Sequence, residues 1–214
     1  MSDKSELGQP KEEIEIHLEE YNIKSSDPIF LGFLPKKVLK LKPDDNWLPT
    51  HVKQLCSVSS EYSTRPPNMF SSDREWNYNR ACLYDDVESA LNDIPPNEKD
   101  EWEMFAYKAY SISLDKNGIH EIDLLKHLPG CSQSINPNPN LNAFHLIGHD
   151  IIARIDYLSY GCSPLACNGL AWDFDTNEFC LIDDLQYAIK AGVKFEKMGA
   201  EPPLYYIFEV YKQQ

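Results

Sequence analysis

The residues best suited to chemistry crowd the last third of the chain. Cys162, Cys167 and Cys180 with His149 or His145 as a fourth ligand form a candidate metal set, because thiolate and imidazole suit zinc. The same region allows a cysteine nucleophile, Cys162 or Cys167, activated by His149 and oriented by Asp150 or Asp173. A third candidate is the paired carboxylates Asp85/Asp86 and Asp183/Asp184, as acid and base or as ligands for a hard cation. Each has a plainer account. Cys82 and Cys180 suit small buried positions, Cys162 and Cys167 suit the shaping of a loop, and each Asp pair suits a helix N-cap followed by an N1 acid. No Gly-rich phosphate loop, nucleophile elbow or His-Glu-x-x-His occurs. The expectation is therefore no metal and no cofactor, and the balance leans away from an enzyme.

What must position these residues is a block written twice. Asn79-Arg-Ala-Cys-Leu-Tyr-Asp-Asp-Val-Glu-Ser-Ala-Leu91 returns without a gap as Asn177-Glu-Phe-Cys-Leu-Ile-Asp-Asp-Leu-Gln-Tyr-Ala-Ile189. An apolar run ending at Leu83 or Leu181 suits a buried strand, and Asp85 or Asp183 then suits the N-cap of a following helix. In the second copy Leu185, Ala188, Ile189, Val193 and Met198 keep helical spacing, with Lys190, Lys194 and Lys197 late and Gly199 as the stop. The first helix should be shorter, because Pro95 and Pro96 end it. After each helix comes an aromatic strand, Trp102–Tyr110 and Leu204–Tyr211. Leu31-Gly32 and Ile147-Gly148 open further strands upstream. The expected fold class is α+β: two related halves, each a small mainly antiparallel sheet with one helix, packed together as a pseudo-duplicated unit.

This gives a division of the chain. Residues 1–25 are a polar tail and lead-in, with Ile14–Tyr21 as strand or short helix; 26–113 form the first half-unit, 114–142 a Pro- and Asn-rich linker, and 143–214 the second half-unit. The first half carries a long aromatic insertion over Pro43–Asp73, with a short helix at Pro49–Leu55.

The segments Gly148-His-Asp-Ile-Ile152, Cys162-Ser-Pro-Leu-Ala-Cys-Asn-Gly-Leu-Ala171, Cys180-Leu-Ile-Asp-Asp184 and Glu201–Tyr211 resemble a group of uncharacterised bacterial proteins. Those proteins carry a Cys-Ser-Pro-Leu-Ser-Cys-Asn-Gly loop and a closing Glu-Pro-Gly-Pro-Tyr strand. The resemblance covers about the last third and implies no activity. Ala166 stands where the family has a second Ser, and Pro203-Leu204 departs from its closing stretch.

Composition sets the function classes. At 214 residues and 42% hydrophobic the chain can bury a real core, and a formal charge of −14 opposes binding to a phosphate backbone. No apolar run is long enough to span a bilayer, and Met-Ser-Asp-Lys-Ser-Glu lacks the pattern of a signal peptide. Cytoplasmic location, reduced thiols and no disulfide are expected. The acidity is concentrated on the repeated blocks: 85–103 holds eight carboxylates against Lys99, and 172–186 holds five with no Lys or Arg. This points to a soluble acidic protein-interaction module, an inhibitor or immunity-type partner of a basic protein. Asp85, Asp86, Glu88, Asp93, Glu101, Asp173 and Asp175 would form the partner-binding face. The alternative is an enzyme of unrecognised type with a Cys/His/Asp site around Cys162–Asp175.

Overall fold

The computed structural model describes residues 27–42, 44–59, 63–64, 79–128, 135–136, 139–153, 155–156, 159–202 and 204–214. The lead-in with Ile14–Tyr21, Cys131 and parts of the Pro43–Asp73 insertion lie outside the described residues.

The fold is α+β, built on one seven-stranded sheet. Its strands are β1 (Ile29–Val38), β2 (Ser63–Thr64), β3 (Glu103–Ala109), β4 (Ile112–Asp115), β5 (Gly118–Glu121), β6 (Phe144–Ala153) and a last strand, Tyr205–Gln213, called β9. Between β6 and β9 lies a separate two-stranded pair, β7 (Ile155–Asp156) and β8 (Ser159–Tyr160). The long strands run β1-β3-β9-β6, all antiparallel, while β4 follows β3 along the same edge of β9 and carries β5 beside it. Among the described residues the α-helices are α1 (Val87–Asn92), the single turns α2 (Leu124–His127) and α3 (Pro164–Cys167), and α4 (Leu185–Lys197). The segment read as a linker thus opens on the β4–β5 hairpin and α2.

The aromatic runs become strands because alternate side chains fill opposite faces. Tyr206, Phe208 and Val210 of β9 join Ile152, Phe105 and Tyr107 in one core, and Tyr205 and Ile207 join Ile151, Leu165 and the inner face of α4 in another. A strand buried on both sides has no polar alternation to show, which explains the apolar run Leu204-Tyr-Tyr-Ile-Phe208. Helix α4 lays Ala188, Ile189, Ala191, Gly192, Val193 and Phe195 on that second core. Bringing Gly192 against Leu114 leaves no room for a Cβ, which would stand 2.3 Å from the Leu114 Cδ1.

The β3–β9 ladder has a symmetric register. Tyr107 pairs with Val210, and each of the two faces a bulged glycine on its outer neighbour, Gly32 of β1 and Gly148 of β6. Exchanging Tyr107 for Val210 carries the Phe105–Lys212 pair onto Ala109–Phe208, and Ala106–Tyr211 onto Lys108–Glu209.

No helix forms over Pro49–Leu55. That segment opens on a turn, Val52 N–H donating to Pro49 O, and then runs on with Leu41 N–H donating to Lys53 O, Leu55 N–H to Leu39 O, and Lys53 N–H to Glu178 O at 2.7 Å. Backbone partners on two sides outweigh a weak local helix signal.

Candidate functional site

Both copies of the repeated block fold around the side chain of their first residue. Asn79 Oδ1 accepts from Ala81 N–H and Leu83 N–H, while its Nδ2 donates to Leu31 O at 2.7 Å and to Asp85 Oδ1 at 3.0 Å. Asn177 repeats each bond, accepting from Phe179 N–H and Leu181 N–H and donating to Ile147 O and Asp183 Oδ1, both at 2.7 Å. The turn holds Cys82 at φ 54° and Cys180 at φ 58°, a left-handed conformation that costs a non-glycine residue roughly 1–2 kcal/mol. The segment expected to be a strand is therefore a loop wrapped on an amide, tied to the sheet by the bridges Phe33↔Tyr84 and His149↔Ile182. Gly32 and Gly148 allow the approach. At φ +146° and +140°, a Cβ on either would meet the Leu83 or Leu181 Cβ at 2.6 or 2.8 Å.

The helix starts fall one residue later than the sequence predicts. Asp86 and Asp184 are the N-caps, accepting from Ser89 N–H and Tyr187 N–H at 2.7 Å. Asp85 and Asp183 are turned back onto Asn79 and Asn177, because the amide donor is already fixed beside them.

The two acidic clusters then differ. Asp93 is withdrawn from the surface, buried and accepting from Tyr84 Oη at 2.8 Å. Glu101 and Glu98 share Lys37 at 2.8 and 2.7 Å, which raises the lysine pKa and holds that of Glu98 down. Asp85 is half-buried and Glu88 is exposed. In the second cluster Asp173, Asp175, Glu178, Asp183 and Asp184 are all exposed. Asp183 lies between two depressions, one of about 440 Å³ lined by His145–Gly148, Asn177, Glu178 and Phe179, and one of about 340 Å³ lined by Asp175, Thr176, Ile182, Asp184 and Tyr187. Trp172, 59% exposed, stands beside this face with its indole N–H donating to Trp47 O.

The cysteine expectations need one correction: Cys162 and Cys167 are joined as a disulfide, with Cα atoms 6.4 Å apart. The turn of α3 between them brings residues five apart in sequence to bonding range. Cys56 and Cys180 are free thiols. Burial pushes the Cys56 thiol up to about 12 and also raises that of Cys180, so neither has the thiolate character a nucleophile needs. Of His, Cys, Asp and Glu among the described residues, the group of three close enough to share an ion is Cys162, Cys167 and Glu201. His149 and Cys180 are not in it. The His149 ring is buried with Nδ1 at 3.1 Å from Ile182 O, and His145 lines the larger depression. Asp173 is exposed and His149 buried, and the disulfide takes up the Cys162 and Cys167 sulfurs.

Sequence reading missed a buried polar centre. Asp150, wholly buried, accepts from Ser163 Oγ at 2.7 Å and from Ile151 N–H at 2.9 Å. Burial raises its pKa, against the opposing pull of the Ser57 and Ser163 hydroxyls and of Lys36. Lys36, 1% exposed, donates to Ser57 O and Ser59 O. The centre ties the loop after Cys162, the 53–59 segment and both outer strands together. A Lys beside Pro35 in an apolar strand was its one sequence signal.

The chain matches no family model, no curated protein and no solved structure. Among the described residues no helix is long and apolar enough to cross a membrane.

Proposed function

We propose that this protein is a binding module that captures a basic protein through the acidic face of its second repeated block, in the manner of an inhibitor or immunity partner. One observation carries the reading: Asp175, Glu178, Asp183 and Asp184 are exposed around two adjoining depressions, with no Lys or Arg between Trp172 and Gln186 and with Asp173 and Trp172 exposed just before Asp175 in the chain. Clustered like charge on a concave surface raises the local concentration of an oppositely charged partner, and an exposed Trp supplies apolar anchor area. The first block contributes less than its composition suggests, since Lys37 and Tyr84 occupy Glu98, Glu101 and Asp93.

We also propose that the two halves descend from one unit. The bond-for-bond agreement around Asn79 and Asn177 and the register about Tyr107–Val210 support it. A cytoplasmic location keeps the support of the free thiols Cys56 and Cys180 and loses that of the bonded pair.

The test is capture of the partner from source lysate, followed by stopped-flow association with the Asp173→Asn/Asp175→Asn variant. Association should slow by about tenfold at low salt and lose most of its salt dependence. Equal rates for variant and parent at low salt would overturn the reading.

A further inference from the structure

The two blocks agree in their bonds but not in what covers them. In the first, the carboxylate of Asp85 takes a second donor besides Asn79, the backbone N–H of Asn136, at 3.4 Å. Ile135, one residue earlier, packs against the larger core, which holds Phe30, Leu31 and Ala81 of the first half together with Ile147 and Leu181 of the second. The chain thus lays a short piece of itself, an aliphatic residue followed by a backbone donor, against its first block. In the second block the corresponding carboxylate, Asp183, opens on the 440 Å³ depression formed by His145–Gly148 and Asn177–Phe179. Those positions match Ile29–Gly32 and Asn79–Ala81 of the first half through the glycine and asparagine equivalences.

We infer that this depression is a docking groove for an extended segment of the basic partner, which presents an aliphatic residue to Leu146 and Phe179 and a backbone N–H to Asp183, as Ile135-Asn136 does at Asp85. The inference rests on the binding reading above and gives it a place and a ligand chemistry. Three observations support it. Leu146 is 44% exposed at the groove, an apolar side chain waiting for cover. Where the first block carries Arg80, the second carries Glu178, so the neutral segment that suits the first site would be replaced by a cationic one at the second. Asp175 and Asp184 across the shared Asp183 then supply a seat for a Lys or Arg on the same segment.

The probe is the peptide acetyl-Lys-Ser-Ile-Asn-Lys-amide, titrated into the whole chain labelled for two-dimensional NMR. Two control peptides accompany it, one with Glu in place of both Lys and one N-methylated at the Asn nitrogen. Shift changes should concentrate at residues 145–148 and 177–184, and either control peptide should bind at least about tenfold more weakly, one charge-assisted bond being lost. Asp183→Asn and, away from the Asn177 bond, Glu178→Gln should each weaken the parent peptide by a similar factor. The inference is overturned if shifts fall elsewhere, if no binding is seen at millimolar peptide, or if the N-methylated or Glu peptide binds as well as the parent. Should the Asp173→Asn/Asp175→Asn variant slow association of the captured protein while the peptide fails, the groove inference alone falls; should that variant have no effect, the binding reading falls with it.

Discussion

Asn79 and Asn177 make the same four kinds of bond, yet their environments set different consequences for losing them. Asn79 is 2% exposed, and Asn177 is half-buried. In Asn79→Ala the Ala81 and Leu83 amides and the Leu31 carbonyl are left without partners away from water, at about 1–3 kcal/mol each before relaxation, so a net loss of about 3 kcal/mol is expected. Water reaches Asn177, and Asn177→Ala should cost about half as much; urea denaturation of the two variants measures both. Asp150 carries a pH signature. Its folded-state pKa is raised above the ordinary 3.8, so the folded chain binds the extra proton and stability falls as pH rises from about that value through the raised one. Asp150→Asn removes this slope. The stability of the parent relative to Asp150→Asn should therefore decline between pH 4 and neutrality, and a pH-independent difference would show that Asp150 is not perturbed.

At the scale of elements, α3 is a single turn held by the Cys162–Cys167 bridge, by Ser163 on Asp150, and by Asn168, whose amide donates to Ala200 O at 2.7 Å. Closing so short a loop is worth about 2 kcal/mol on chain entropy alone. Reduction should lower stability by about that amount in the parent and leave a Cys162→Ser/Cys167→Ser variant unmoved, as thermal melts with and without reductant would record. Asp150, Lys36 and α4 lie on elements outside the bridged loop, so the reduced chain should keep its fold.

Across the whole molecule the −14 charge is not spread evenly in effect. Lys37 and Tyr84 occupy much of the first cluster, while the second stays open to solvent. Neutralising Glu88 and Glu101 should therefore change partner association by less than about twofold, against about tenfold for Asp173 and Asp175, with the difference shrinking as salt shortens the Debye length.

Much of this organisation was legible beforehand. The repeated block, the length contrast between α1 and α4, and the strands β1, β3, β6 and β9 all follow from local pattern, because caps, prolines and β-rich runs act through neighbours in sequence. The sequence also determined the charge and where along the chain it gathers. Only the tertiary structure decided which acids remain available, since Asp93 meets Tyr84, and Glu98 and Glu101 meet Lys37, through contacts that no spacing encodes. It likewise decided that Asp85 and Asp183 turn to an asparagine rather than to a helix, that Lys53–Leu55 is drawn out by the carbonyls of Glu178 and Leu39, and that Lys36 and Asp150 share a buried centre. The physical reason is common to all of them: a polar group leaving water takes whichever partner the closed fold brings within reach, and that partner is fixed by the packing of the sheet and its loops rather than by the residues beside it in the chain.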